Sequence, residues 1–125
     1  MREAYLMLKI ALAQLNVHAG DPRRNVQSME RCISQAKEQH CHVIVFPELS
    51  IPGYLIGDLW DQPDYIRECV RLGDRIRALS DSITILFGNV AGDESRINPD
   101  GRQRKYNALF VAQNGQFIGP DRSPY

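Results

Sequence analysis

The run Val43-Ile44-Val45-Phe46, cut off by Pro47, constrains the fold of this chain more than any other segment. Three β-branched residues followed by an aromatic one suit a short strand buried in a sheet. Proline keeps the residue before it in extended backbone and has no N–H to give a ladder, so the strand closes at Phe46. Upstream, Val26, Met29, Ile33 and Ala36 fall at spacings of three and four, one apolar stripe on a helix. Asp21-Pro22 opens that helix, since the carboxylate can accept from free backbone N–H groups and proline suits the first helical position. Its end is expected near Gln39. Before it, Leu6 to Leu15 (LMLKIALAQL) predicts a first strand, mostly buried and parallel to the second. It stops at the turn-prone Asn16-Val17-His18-Ala19-Gly20.

The same signals alternate further along. Pro52-Gly53 is a turn, and a second helix is expected from about Asp64 to Leu79 with Ile66, Cys69, Val70, Gly73 and Ile76 inward. Ser82 to Phe87 predicts a third strand. The polar stretch Ala91–Lys105, interrupted by Gly92, Pro99 and Gly101, predicts a loop. Asn107–Gln113 is a fourth strand, and Asn114-Gly115 turns it into a fifth at Gln116–Ile118. The order β-α-β-α-β, a long loop and a β-hairpin implies a layered α/β domain with parallel strands and an antiparallel edge. No repeat, low-complexity tract or internal boundary interrupts residues 1–118. Gly119-Pro120-Asp121-Arg122-Ser123-Pro124-Tyr125 is expected to form an irregular tail.

Composition removes several functions. A chain of 125 residues suits one domain. Fifteen basic residues balance fifteen acidic ones, so no global charge favours nucleic acid or an anionic membrane. No segment approaches the roughly eighteen apolar residues of a membrane span. The N-terminus carries an early acid and lacks the apolar region of a secretion signal. Three cysteines, an odd number without regular spacing, do not make a disulfide framework, and a reducing cytoplasm is the expected setting. Of the basic residues only Lys9, Lys37 and Lys105 are lysines.

Glu48 is the foremost candidate for chemistry. It follows Pro47 at the carboxyl end of a buried strand, where open α/β sheets place their ligands. Partial desolvation there would raise its pKa and suit a general base; the alternative is a loop glutamate that faces water or caps the next segment. His40-Cys41-His42 carries metal-ligating types, but no second cluster completes a site, and His40 is better read as lying near a helix C-terminus. Cys32 and Cys69 sit on or beside helical apolar stripes and are expected to be core. Arg102, Arg104 and Lys105 share their loop with Asp93, Glu94 and Asp100, the pattern of a solvated loop. No Gly-rich phosphate cradle follows any predicted strand, so the chain has no nucleotide fingerprint of its own and no cofactor is expected.

In order along the chain, Ile10-Ala11-Leu12-Ala13-Gln14-Leu15-Asn16, Gly20-Asp21, Asn25 and Val43 to Ser50 (VIVFPELS) resemble the start of the nitrilase, or carbon–nitrogen hydrolase, superfamily. Pro52-Gly53-Tyr54 with Asp58-Leu59 is most similar to one branch, the glutaminase domain of glutamine-dependent NAD synthetases. Gly88-Asn89 and Lys105-Tyr106-Asn107-Ala108 fit the same pattern, so the likeness runs nearly to Gly119. It implies an α-β-β-α sandwich of which about the first half is present. It also implies a Glu–Lys–Cys triad in which a thiolate attacks an amide carbon and releases ammonia, the glutamate acts as base and the lysine stabilises the oxyanion. Glu48 matches the base, and Tyr54 matches a position lining the glutamine pocket.

The rest of the triad departs from the pattern. Where the resemblance implies a lysine after the hairpin, the chain reads Gly119 to Tyr125 without one, and Arg122 has a different shape and reach. Cys32, Cys41 and Cys69 precede the place implied for the nucleophile, and an ATP-using synthetase domain is absent. The expectation is therefore the N-terminal half of a glutamine-hydrolysing amidase, inactive alone, with an unfilled sheet face hidden by a homo-oligomer or by a missing C-terminal half. Alternatives are a non-catalytic remnant or interaction module with this fold, and an unrelated flavodoxin-like domain binding a small ligand.

Overall fold

The computed structural model describes residues 7–119. Strand β1 (Ile10–Leu12), helix α1 (Pro22–Glu38), strand β2 (Val43–Val45), a 3-10 turn (Gly57–Asp61), helix α2 (Pro63–Arg77) and strands β3 (Thr84–Ile97), β4 (Gln103–Gln113) and β5 (Gln116–Phe117) follow in that order. One sheet takes the strands in sequence order, with β1, β2 and β3 parallel and β3, β4 and β5 antiparallel. Right-handed crossovers between parallel neighbours put α1 and α2 on one face of it. There the helices lie side by side, joined by the pairs Arg23–Glu68 at 2.6 Å and Arg75–Glu30 at 2.8 Å. The described residues thus form one helical layer on one sheet, half of the expected four-layer sandwich.

The helices start and pack as their sequences require. Asp21 accepts from the Arg24 N–H at 3.3 Å, and the stripe Val26, Met29, Ile33 and Ala36 is buried. In α2, Ile66, Cys69, Gly73 and Ile76 face the sheet together with Leu72. Val70 does not: it is 42% exposed, because it lies a full 100° around the helix from Cys69 and off the inward stripe. Against these helices stands the sheet row Ala11–Ile44–Ile85–Ala112, with Phe87 stacked on Phe110 at 5.3 Å and Phe117 tilted beside both.

The opposite face explains where β1 departs from expectation. Instead of a long buried strand it is three residues at the sheet edge, with Ile10 and Leu12 50% and 71% exposed. Alternation turns the row Leu12–Val45–Leu86–Val111 away from the helices, and nothing among the described residues covers it. Leu6, the expected start of that strand, lies outside the described residues, as does the tail from Pro120 on.

The expected loop Ala91–Lys105 is also corrected. β3 runs on to Ile97 and returns as β4 from Gln103, pairing Gly92 with Lys105 and Asp93 with Arg104 across a bulge before Ile97. These strands satisfy each other's backbone without burying a face, so no period-two apolar pattern marks them. Arg104 and Lys105 are strand residues for the same reason. Arg102 and Lys105 also reach Asp61, at 3.6 and 3.5 Å. At the far end Asn114 and Gly115 take φ of 54° and 73°, the tight turn their pairing predicts. No helix among the described residues is long and apolar enough to cross a membrane.

One buried side chain joins α1 to the loop before it and to the loop after β2. Asn25, 2% exposed, accepts from the His18 N–H and donates to the carbonyls of His18 and Ile51, all at 2.7–2.8 Å. Asn25→Ala would orphan these buried groups and is expected to cost roughly 1–3 kcal/mol. Urea unfolding measures it, and an unchanged midpoint would mean that water replaces the three bonds without loss.

Candidate active site

The site is built where β2 ends. After Val45 the backbone continues to pair with β3: Phe46 N–H donates to Leu86 O at 2.8 Å and Gly88 N–H to Pro47 O at 3.2 Å. The chain then turns at Leu49 with φ of 48°, and both the N–H and the Oγ of Ser50 donate to Gly88 O at 2.9 Å. Glu48 therefore sits directly over Gly88. A Cβ on Gly88 would lie 2.3 Å from Leu49 N and 2.7 Å from Glu48 Cα, so only glycine permits the crossing.

The loop that follows brings Tyr54 back. Gly53, at φ of 82°, packs so close to Ala19 that a Cβ would meet its Cα at 2.8 Å. Gly20 N–H donates to Pro52 O at 3.0 Å, so the turn after β1 holds this loop. From there the Tyr54 hydroxyl donates to Glu48 Oε2 at 2.8 Å, and Asn107 Nδ2 on β4 donates to Glu48 Oε1. Phe46, Glu48, Gly88, Asn107, Ala108 and Leu109 line a cleft of about 330 Å³ on this side of the sheet.

These bonds reverse the expected electrostatics of Glu48. Its pKa is lowered, first by the Tyr54 hydroxyl and then by the Asn107 amide; partial desolvation acts the other way and is outweighed. Position alone pointed to a raised value because strand ends are often dry, but the Glu48 side chain is exposed and both oxygens accept a hydrogen bond. The carboxylate is held ionised. The Tyr54 hydroxyl, donating to that anion, has its own pKa raised. Linkage follows the same sign: the two bonds stabilise the fold above the ordinary glutamate pKa of about 4.3, and that contribution is lost as pH falls through the lower folded value.

The structure brings together Glu48 and Tyr54, both visible in the sequence, and adds Asn107. It keeps the other candidates apart. The Cys69 thiol is buried under α2 and pushed up to about 12 by burial, Cys41 is buried, and Cys32 is half-buried on α1. Lys9 Nζ donates to Gln39 O at 2.7 Å, Lys37 pairs with Asp81 at 2.7 Å, and Lys105 turns to Asp61. None of these six groups joins the Glu48 cleft. His40 follows the end of α1 with φ of 58°, while His42 Nδ1 accepts from the Lys9 N–H at 2.9 Å.

Residues 9–119 match the carbon–nitrogen hydrolase family. The chain belongs to that family. A glutamine-dependent NAD(+) synthetase of Aquifex aeolicus is 41% identical over 113 residues, 90% of this chain and 18% of that protein. The Acinetobacter baylyi enzyme of the same name is 32% identical over 111 residues, 89% of this chain and 19% of its own. Among solved structures, a glutamine-dependent NAD(+) synthetase from Cytophaga hutchinsonii matches with a TM-score of 0.76 and 26% identity, over 90% of this chain and 18% of that one. An amidase from Nesterenkonia sp. shares the fold at a TM-score of 0.72 and 20% identity, over 90% of this chain and 41% of its own. This carbon–nitrogen hydrolase chain thus spans less than a fifth of the length of these synthetases.

Asn107 escaped the sequence-based candidates because it meets Glu48 across 59 residues. The one available signal was its place in the Lys105-Tyr106-Asn107-Ala108 block. Gly88→Ala tests the seat itself. Overpacking against the Glu48 backbone should cost roughly 1–3 kcal/mol and displace the Tyr54 and Asn107 bonds. Thermal unfolding with side-chain amide NMR reads both effects; a variant with unchanged melting and spectra would show that the crossing has room to spare.

Proposed function

We propose that this carbon–nitrogen hydrolase chain supplies the general base of a glutamine amidohydrolase that delivers ammonia to NAD synthesis. The observation that carries this reading is the Glu48 carboxylate, kept ionised at the end of β2 and facing an open cleft within this family's fold. A carboxylate in that state can take the proton of an attacking thiol, give it to the departing ammonia, and then take a proton from the water that hydrolyses the thioester. Glutamine as the amide rests on the glutamine-dependent NAD(+) synthetases among the similar proteins.

The thiol and the oxyanion-stabilising cation have to come from sequence other than the described residues, whose cysteines and lysines lie elsewhere. The uncovered row Leu12–Val45–Leu86–Val111 is the surface on which the rest of such a domain would pack, closing the cleft from its open side. The reaction so read asks for no metal or cofactor from this chain; ATP belongs to a synthetase domain. We place it in the cytoplasm on its cysteine usage, an odd number of free thiols.

The test is ammonia released from glutamine by the pure 125-residue chain, alone and with the remainder of a hydrolase domain supplied in trans. Alone, the chain is expected to give no release that depends on Glu48. Restored activity should fall at least a hundredfold in Glu48→Gln, the order expected for loss of a general base. Turnover by the isolated chain, abolished by Glu48→Gln, would overturn the assignment of the other two groups to sequence outside it. A restored enzyme indifferent to Glu48→Gln would refute the assignment of the base.

A further inference from the structure

Glu48 is exposed, and a free glutamate there would turn about three side-chain torsions. Its two restraints come from different parts of the fold. Tyr54 reaches it from the same loop, six residues on, and is itself 49% exposed. Asn107 reaches it from β4, where it pairs with Val90, two residues along β3 from the Gly88 that seats the Glu48 backbone. One ladder therefore carries both the seat of this residue and the donor that meets its carboxylate.

We propose that Asn107 is the positioning residue of the Glu48 base: through Nδ2 it sets the direction of Oε1 relative to the sheet, while Tyr54 holds Oε2. The assignment rests on Glu48 being the base. An amide suits the role for three reasons. It orients an anion without neutralising it, which a lysine or arginine would do. Its orientation is unambiguous, because the flipped amide would set Oδ1 against Oε1, two acceptors without a proton between them. Its place also depends on the β3–β4 register, since a slip of one residue would swing it to the other face of the sheet. The long polar extension of that hairpin then has a purpose: continuous pairing from Ile85–Ala112 to Asp93–Arg104 locks the register at the Val90–Asn107 pair.

Among the described residues, the groups acting on Glu48 are Tyr54 and Asn107, with partial desolvation; no charged side chain of theirs contributes to its shift. A carboxyl-detected NMR titration of Glu48 in the 125-residue chain isolates the Asn107 contribution. In the unmodified chain the midpoint should lie below the ordinary glutamate value, and the Asn107 side-chain amide protons should move with the same midpoint. Asn107→Ala should raise the Glu48 midpoint. Asn107→Asp, nearly the same shape, should raise it further, above the ordinary range, because two carboxylates then compete for one proton. Tyr54→Phe should also raise it but leave the Asn107 amide tracking Glu48. The backbone amide spectrum of each variant reports that the fold is kept. A Glu48 midpoint common to the unmodified chain, Asn107→Ala and Asn107→Asp would overturn the proposal, as would Asn107 amide signals that ignore the titration. Neither readout involves glutamine, so a restored enzyme that ignores Glu48→Gln would remove Glu48 as the base while leaving the measured Asn107–Glu48 contact in place.

Discussion

The close approach of two backbones at Gly88 is the contact on which the rest of the site depends. β2 stops at Val45, two residues before a proline, yet its chain does not leave the sheet: on either side of Glu48, Pro47 O accepts from the Gly88 N–H and Ser50 donates to Gly88 O. That keeps a charged side chain at a fixed point of the sheet, with Pro47 before it and Ser50 after it hydrogen-bonded to Gly88. The missing side chain at residue 88 makes this possible, because any Cβ there would occupy the space of Leu49 N. Asn25 and Gly53 act in the same direction from farther away, holding the loop that returns Tyr54 to the carboxylate.

The two faces of the sheet divide the labour. Helices α1 and α2 bury one face with ordinary apolar packing, and the buried Asn89 ties β3 to α2 through the Cys69 carbonyl at 2.9 Å. The other face holds Glu48, Asn107 and the cleft between them, and continues into the apolar row that nothing among the described residues covers. Active-site polarity and an unsatisfied apolar surface on one face suit a layer that closes only when more protein is laid on it. The lowered pKa of Glu48 belongs to the open, hydrated form of the site. Covering that face would strengthen desolvation, the opposing influence already acting on it.

Much of this was legible in the residues, and what was not had a common cause. Pro47 marked the end of β2 to within a residue, the 26-29-33-36 stripe marked the buried side of α1, and Asn114-Gly115 turned β4 into β5. Each of these signals acts within one or two turns of chain. The β3–β4 extension left no signal, because polar strands that pair with each other bury no face and so show no apolar period. Val70 was misjudged by one helical position, since a stripe read from sequence has no sharp margin. β1 looked buried because its residues are apolar, but burial needs a partner layer, and its outward side has none among the described residues.

Local chemistry was enough to place Glu48 at the end of a strand, to set the α/β alternation and to leave the three lysines without an evident role beside it. Backbone restriction by proline and the periods of helix and strand are properties of neighbouring residues. The ionisation of that glutamate was another matter. It is set by a hydroxyl from a returning loop and an amide from a strand 59 residues away, and a carboxylate's pKa answers to whichever donors packing brings within hydrogen-bond reach. Sequence position pointed to a partly desolvated base of raised pKa; the folded chain makes it a clamped anion of lowered pKa.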